Sequence, residues 1–390
     1  MLSLLSRARK SMGRIAVAVT ALALAACQPT APSRGPSIDT SAAVPVALLV
    51  PAGSGQAGDE LLARSLQNAA RLAISDLGSI KIDLRVYNTA GQAGQAQAMA
   101  VKAIDEGAKI ILGPVFAQEA NAAGVAAASR GVNVLAFSNN PDIAGGNVYI
   151  LGPTFQNTAA RLASYAVRQG KSRIMIVHDQ NQAGLIGRTA IEQGVARSGG
   201  SVVAVGSYEF SQNGVVQAVP RIVAAAKANN AQALFLTADT AGALPLVSQL
   251  LADNGMGPAA TQFIGLTRWD IPAATLALPG VQGGWFALPD PNLYQQFQNR
   301  YQTAFGEPPH PISGLAYDGI AAIGALVKQG KANALTGAAL TNGAGFVGVN
   351  GVFRLRPDGL NDRGLAIAQI RNNQIVVIDP APRSFGGAGF

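Results

Sequence analysis

Cysteine is almost missing. Cys27 is the only one in 390 residues, so no disulfide can close within the chain. Histidine is nearly as scarce: His178 and His310 lie far apart, and neither has Cys, Asp or Glu around it at metal-ligand spacing. Charged residues make up 13% and aromatics 6%, and no two of the sparse carboxylates stand out as an acid/base couple. Neither a G-x-S-x-G elbow nor an S-x-x-K occurs. These absences argue against an enzyme, a metal site and a bound cofactor. After the first 26 residues there is no Lys/Arg run with interleaved aromatics, so nucleic acid is not an expected partner.

The start of the chain is different in character. Arg7, Arg9, Lys10 and Arg14 precede an apolar run from Ile15 to Ala26, broken only by Thr20. That run has 12 residues, against roughly 20 for a bilayer-spanning helix. Basic start, short apolar stretch and small residues at the end form a secretory signal rather than an anchor. Leu24-Ala25-Ala26-Cys27 resembles the lipobox of bacterial lipoproteins, which implies cleavage after residue 26 and acylation of Cys27. Gln28, rather than Asp, beside it implies sorting to the outer membrane more than the inner, with the lipid as the sole membrane contact. Residues 27–43 are rich in Pro, Ser, Thr and Ala and are expected to form a flexible tether. The whole-chain charge is +8, and the four cations of the signal leave +4 for the rest.

About 360 residues remain, enough for two domains, with nearly half the chain apolar. Short β-branched runs alternate with alanine-rich helical segments. Val44–Val50, Ile82–Asn88, Lys109–Pro114 and Asn133–Ser138 read as strands, with helices at Leu61–Leu77, Ala93–Glu106 and Gln118–Ser129 between them. The pattern restarts with strands at Arg173–His178, Ser201–Glu209, Ala233–Ala238 and Gln262–Leu266. Their helices fall near Ala159–Arg168, Gly187–Arg197, Val216–Ala228 and Ala241–Asp253. The expected fold is therefore α/β, with two similar lobes in series, each a parallel sheet flanked by helices. A first crossing is placed near Tyr149–Thr154 and a second at Val281–Pro289, after which helices Leu293–Phe305 and Ser313–Lys328 return to the first lobe. Lobe 1 is thus expected to hold residues 44–152 and 290–345, and lobe 2 residues 153–289 and 346–379. A hairpin of Gly351–Leu355 and Ala366–Asp379 closes the second lobe, and residues 380–390 form a flexible tail.

One dinucleotide-like pattern occurs, G-x-G-x-x-G at Gly53, Gly55 and Gly58, between the first strand and its helix. The second strand ends at Asn88 with no acid for a ribose hydroxyl, so a flexible turn over a cleft is the better reading and an NAD-type dehydrogenase a distant one. His178-Asp179 ends a strand at a cleft edge, where an edge hydrogen bond is the expected role of the imidazole. His310, among Pro308, Pro309 and Pro311, reads as structural.

The strings Ala108–Pro114 (AKIILGP), Gly131–Asp142 (GVNVLAFSNNPD) and Lys171–Gly184 (KSRIMIVHDQNQAG), within the two-lobe order, resemble the type I periplasmic-binding family, whose best-known members bind leucine, isoleucine and valine. The resemblance runs from Val44 to about Asp379. It implies three hinge crossings, a ligand between the lobes beyond the carboxyl ends of the strands, and an ABC permease as partner. Carried over by position, the ligand residues would be Phe116 and Gln118, then Ser138, Asn139 and Asn140, on lobe 1. On lobe 2 they would be Asp179, Gln182, Asp239, Thr240, Thr267 and Arg268. Three positions depart from the family. In place of the serines that its third-strand loop offers a ligand carboxylate stands Val115-Phe116-Ala117-Gln118. The family's stacking tyrosine is here Ala183, and the acid that pairs with a ligand ammonium falls near Thr267, beside Arg268, with Asp239 as a substitute. The GPVFA and LAFSN strings are also similar to those of penicillin-binding protein activator lipoproteins. That likeness implies instead a class A penicillin-binding protein as partner.

Overall fold

The computed structural model describes residues 35–257 and 260–386; the lipidation expected at Cys27 lies outside them. Val44–Val50 (β1) is buried along nearly its whole length, as a strand covered on both faces must be. It sits inside a five-stranded parallel sheet with Ile82–Asn88 (β2), Ile110–Leu112 (β3), Asn133–Ala136 (β4) and Val148–Ile150 (β5), in the order β2-β1-β3-β4-β5. Helix Ala57–Asp76 turns Leu62, Leu66, Ala69, Ala70 and Ala73 to one side, at the spacing of one helical stripe. They share a core with Ile320 and Ile323 of helix Gly314–Val327 and with Phe297 and Tyr301 of helix Pro291–Phe305. Both late helices therefore return to the first sheet, as expected.

The second sheet has seven strands. Arg173–Asp179 (β6), Ser201–Tyr208 (β7), Ala233–Leu236 (β8), Gln262–Gly265 (β9) and Trp285–Leu288 (β10) are parallel neighbours in the order β10-β9-β8-β6-β7. A small antiparallel sheet follows, made of Phe346–Gly348 (β11), Gly351–Leu355 (β12) and Asn361–Arg363 (β13). Ala366–Arg371 (β14) and Gln374–Asp379 (β15) then extend the second sheet antiparallel beyond β10. Two sheets flanked by helices confirm the α/β reading.

Five local expectations are corrected. Gly351–Leu355 does not pair with Ala366–Asp379: β12 lies between β11 and β13, while β14 pairs with β15 and β10. Phe346, Val349, Phe353 and Leu355 are buried with the first sheet's core, so the chain from 346 to 355 packs there. Trp285–Leu288, read as a bare crossing, is a strand whose apolar side chains are all buried. The stretch before β1 is tied down from Ile38, the one large apolar residue of the tether, which is 6% exposed and whose N–H donates to Ala332 O at 2.9 Å. Of the expected flexible tail, the described residues also pack. Ala381 is buried, Pro380 O accepts from Arg161, and the Phe385 ring lies under the Arg354 guanidinium.

Candidate functional site

The chain passes between the two sheets at 151–154, 288–291 and 363–366. The first and third crossings are pinned by side chains on backbone carbonyls. Asn361 Nδ2 donates to Ile150 O and Gly152 O, Arg363 Nε to Leu151 O, and Arg161 Nε to Leu365 O. The carboxyl ends of β4 and β9 lie beside these crossings. Leu151 N–H donates to Ala136 O, and a cavity of about 190 Å³ between the lobes is bordered by Pro153, Leu266, Arg268, Pro289, Ile312 and Arg363. Leu266 and Arg268, just past β9, thus border the same cavity as Ile312 of the first lobe.

On the first sheet, Ser138 is buried and its Oγ accepts the Asn140 N–H at 3.1 Å. Asn140 Oδ1 in turn accepts the Asp142 N–H and starts a short 3-10 turn. Asn139 is exposed between them. Phe116 is the N-cap residue of helix Ala117–Ala128 with its ring 40% exposed, and Gln118 is exposed in that helix's first turn. The Gly53 N–H, which a phosphate would need in a dinucleotide reading of the glycine pattern, donates to Glu60 Oε1 at 2.6 Å.

On the second sheet, the ends of β6, β7 and β8 bring acids together. Asp179 Oδ1 accepts from Thr237 Oγ1 at 3.3 Å and Oδ2 from Asn181 Nδ2 at 3.0 Å. Burial pushes its carboxyl above the usual range, and the nearby Asp239 adds to that rise. Only glycine fits at 184, where a Cβ would lie 1.8 Å from Asp179 Oδ1. Asp239 is exposed and accepts the Gly242 N–H. Tyr208 completes the group. It is 2% exposed, its hydroxyl has no hydrogen-bond partner, and burial followed by both aspartates raises its pKa.

The remaining sequence-predicted residues are engaged differently. Thr240 Oγ1 donates to Ile271 O at 2.7 Å and Thr267 Oγ1 to Ala238 O at 3.4 Å, so both hydroxyls brace the backbone. Arg268 forms a two-pronged pair with Asp270, which offsets its charge. Gln182 opens helix Gln182–Arg197 and is exposed. Of the eleven residues, Arg268 alone borders the 190 Å³ cavity. His178 is buried with Nδ1 2.7 Å from Asp179 O, an edge contact as expected. Among the described residues no group of three His, Cys, Asp or Glu could hold a metal ion.

Two residues, one on each lobe, escaped the sequence reading. Phe210, 54% exposed just past β7, packs close to Gly242 and offers an aromatic face that Ala183 lacks. Its signal was its place directly after the expected strand end at Glu209. Glu119 is buried below Phe116 and Thr89, with no hydrogen bond of good geometry to either carboxylate oxygen. Burial pushes its carboxyl up. Its position in a helical first turn, exposed on pattern, hid it.

The periplasmic binding protein family model matches residues 43–374. No curated protein matches the chain. Among solved structures, a protein described as a branched-chain amino acid ABC transporter from Rhodospirillum rubrum superposes with a TM-score of 0.73 at 19% identity, over 86% of this chain and 100% of the other. A branched-chain amino acid ABC transporter periplasmic ligand-binding protein from Burkholderia xenovorans gives 0.68 at 17%, over 88% and 97%. An ABC transporter substrate-binding protein from Desulfitobacterium hafniense in complex with Leu gives 0.64 at 18%, over 86% and 100%. With two sheets joined by three crossings and a family match across most of its length, the chain belongs to the periplasmic binding protein family.

Proposed function

We propose that the chain is the solute-binding component of an ABC-type uptake system, held by a lipid on Cys27 at the periplasmic face of a bacterial membrane. It closes on a small, amino-acid-like ligand and presents it to a permease. What supports this reading is the family match over residues 43–374, together with unlike polar groups beyond the strands of the two sheets. Ser138, Asn139, Asn140 and the start of helix Ala117–Ala128 offer hydroxyl, amide and backbone N–H groups, which suit a ligand carboxylate. On the second sheet, exposed Asp239 beside exposed Phe210 suits an ammonium and an apolar side chain. Since Arg268 is already paired with Asp270, it does not compete with that ammonium. The solved relatives named for branched-chain amino acids, one of them holding Leu, support the same class.

Calorimetry with the amino acids, their amides and cell-wall fragments tests this. Losing Asp239 removes a charge-assisted hydrogen bond of about 1.5–3 kcal/mol, so Asp239→Asn should weaken binding roughly 10- to 150-fold. A variant that binds like wild type removes Asp239 from the site. If no amino acid binds and the chain instead raises glycan synthesis by a class A penicillin-binding protein, the activator role replaces transport.

A further inference from the structure

The chain enters the fold at one end of the first lobe. The strands of the first sheet are all parallel, so their amino ends lie together, at the end away from the crossing that follows β5. Gly35 packs at that amino end. A Cβ on it would lie 2.6 Å from Thr336 Cα and 2.8 Å from Leu335 O, and a Cβ on Gly131, just before β4, would lie 3.8 Å from Gly35 N. The Ile38 N–H donates to Ala332 O at 2.9 Å. The loop that receives the chain is itself fixed to the start of β4, where Asn133 Nδ2 donates to Leu335 O at 2.8 Å.

Four lysines lie at the same end. Lys81 precedes β2, and its carbonyl accepts the Val44 N–H at 3.0 Å. Lys109 precedes β3, and its N–H donates to Pro45 O at 2.9 Å. Lys328 is the C-cap of helix Gly314–Val327, and Lys331 O accepts the Ala334 N–H in the loop against which Gly35 rests. Lys81, Lys328 and Lys331 are exposed and Lys109 is half-buried. None of the four is in a described ion pair, where the sole lysine is Lys102. The acids of this end are mostly answered. Asp76 pairs with Arg300, Asp83 with Arg85, Asp105 with Arg130 and Glu106 with Lys102, which leaves Asp39 as the one without a cation among the described ion pairs. Unpaired positive charge is therefore in excess where the chain enters.

We propose that this end of the first lobe rests on an anionic lipid surface, so that the interlobe cleft and the second lobe stand away from the membrane. This arrangement depends on the lipid anchor proposed for Cys27. Eight steps of chain lead from Cys27 to Gly35, and at about 3.3–3.6 Å each they reach no further than about 28 Å. Helix Ala57–Asp76, which runs from the cleft end of the lobe to this end, has 20 residues and so is about 30 Å long. The second lobe lies beyond the far end of that helix, and a tether of this reach cannot turn it onto the lipid. Charge then selects the surface. Each lysine held near an anionic leaflet strengthens the contact by about fivefold, because its compact ammonium can meet headgroup phosphates. Arg34, the only charged residue between Cys27 and Gly35, has the same sign.

The test uses the full acylated chain in vesicles of phosphatidylcholine alone and of equal parts phosphatidylcholine and phosphatidylglycerol. Flotation with both reports the anchor. Lysine modification by a water-soluble acylating reagent, read residue by residue by mass spectrometry, reports the orientation. On the anionic vesicles the rates at Lys81, Lys109, Lys328 and Lys331 should fall at least about threefold relative to the neutral ones. Lys171 and Lys227 of the second lobe should react equally on both, and raising the salt should remove the difference at the four. In the variant Lys81→Gln, Lys328→Gln, Lys331→Gln, all three exposed, flotation should persist while the protection of Lys109 is lost. A chain that floats with both vesicles yet reacts at the same rates on both, or that protects Lys171 and Lys227 instead, overturns the orientation and leaves the anchor standing. A chain that floats with neither carries no lipid, and the anchor and the orientation fall together.

Discussion

Replacing Asp318 by alanine takes away the carboxylate that pairs with Arg363 at the third crossing. The pair is deeply buried, with side-chain exposures of 0% for Asp318 and 2% for Arg363. Asp318 also accepts the Val349 N–H at 2.8 Å and Asn350 Nδ2 at 3.0 Å, joining the small antiparallel sheet to helix Gly314–Val327. Burial lowers the Arg363 pKa, and the attraction of Asp318 works against that without fully reversing it. The pair as a whole is therefore a modest source of stability, yet breaking it is costly. Leaving one buried charge without its partner costs about 3–5 kcal/mol. With an m-value of about 3 kcal/mol/M for urea, a loss of that size lowers the unfolding midpoint by about 1–1.7 M. Asp318→Asn keeps the shape and an acceptor but drops the charge, so its midpoint should fall between wild type and Asp318→Ala. Replacing both partners, as Asp318→Leu with Arg363→Met, should be milder than Asp318→Ala alone, because no orphan charge remains. Urea titration followed by circular dichroism reads all three. A midpoint for Asp318→Ala within about 0.2 M of wild type would refute the reasoning.

Glu119 predicts a pH effect of definite sign. Its carboxyl is raised by burial above the ordinary 4.5, so the stability it contributes is complete below 4.5 and is lost as pH rises through the folded value. Glu119→Gln should accordingly be more stable than wild type at pH 8, with the advantage vanishing near pH 4. Thermal midpoints across that range check it, and an advantage independent of pH counts against the assignment. For Cys27, the signal and LAAC string predict that Cys27→Ser leaves an uncleaved, non-acylated precursor; intact mass of the wild-type chain showing an unmodified Cys27 would defeat the lipoprotein reading.

Local order was legible from the residues in turn. The alternation of short β-branched runs with alanine-rich segments reflects the periods of strand and helix, and those are properties of neighbouring residues. β1 and β2 begin and end where their composition placed them, at Val44–Val50 and Ile82–Asn88. The glycine pattern at Gly53, Gly55 and Gly58 and the targeting segment could likewise be weighed without a structure. Tertiary packing decided whatever depends on residues far apart in the chain. Trp285–Leu288 reads as a crossing until β9 and β14 flank it, and Gly351–Leu355 pairs with Asn361–Arg363 rather than with its expected partner. The candidate site divides in the same way. Family positions suggested Asp179 and Ser138, with Asp239 as a substitute acid, but only folding showed Arg268 already occupied by Asp270 and Phe210 standing beside Asp239. Nor could the sequence show that Lys81, Lys109, Lys328 and Lys331, far apart in the chain, gather at the end of the first lobe where the chain enters. A sequence states what each residue prefers locally, whereas burial, charge pairing and orphaned hydrogen bonds arise between residues that meet only when the chain has closed on itself.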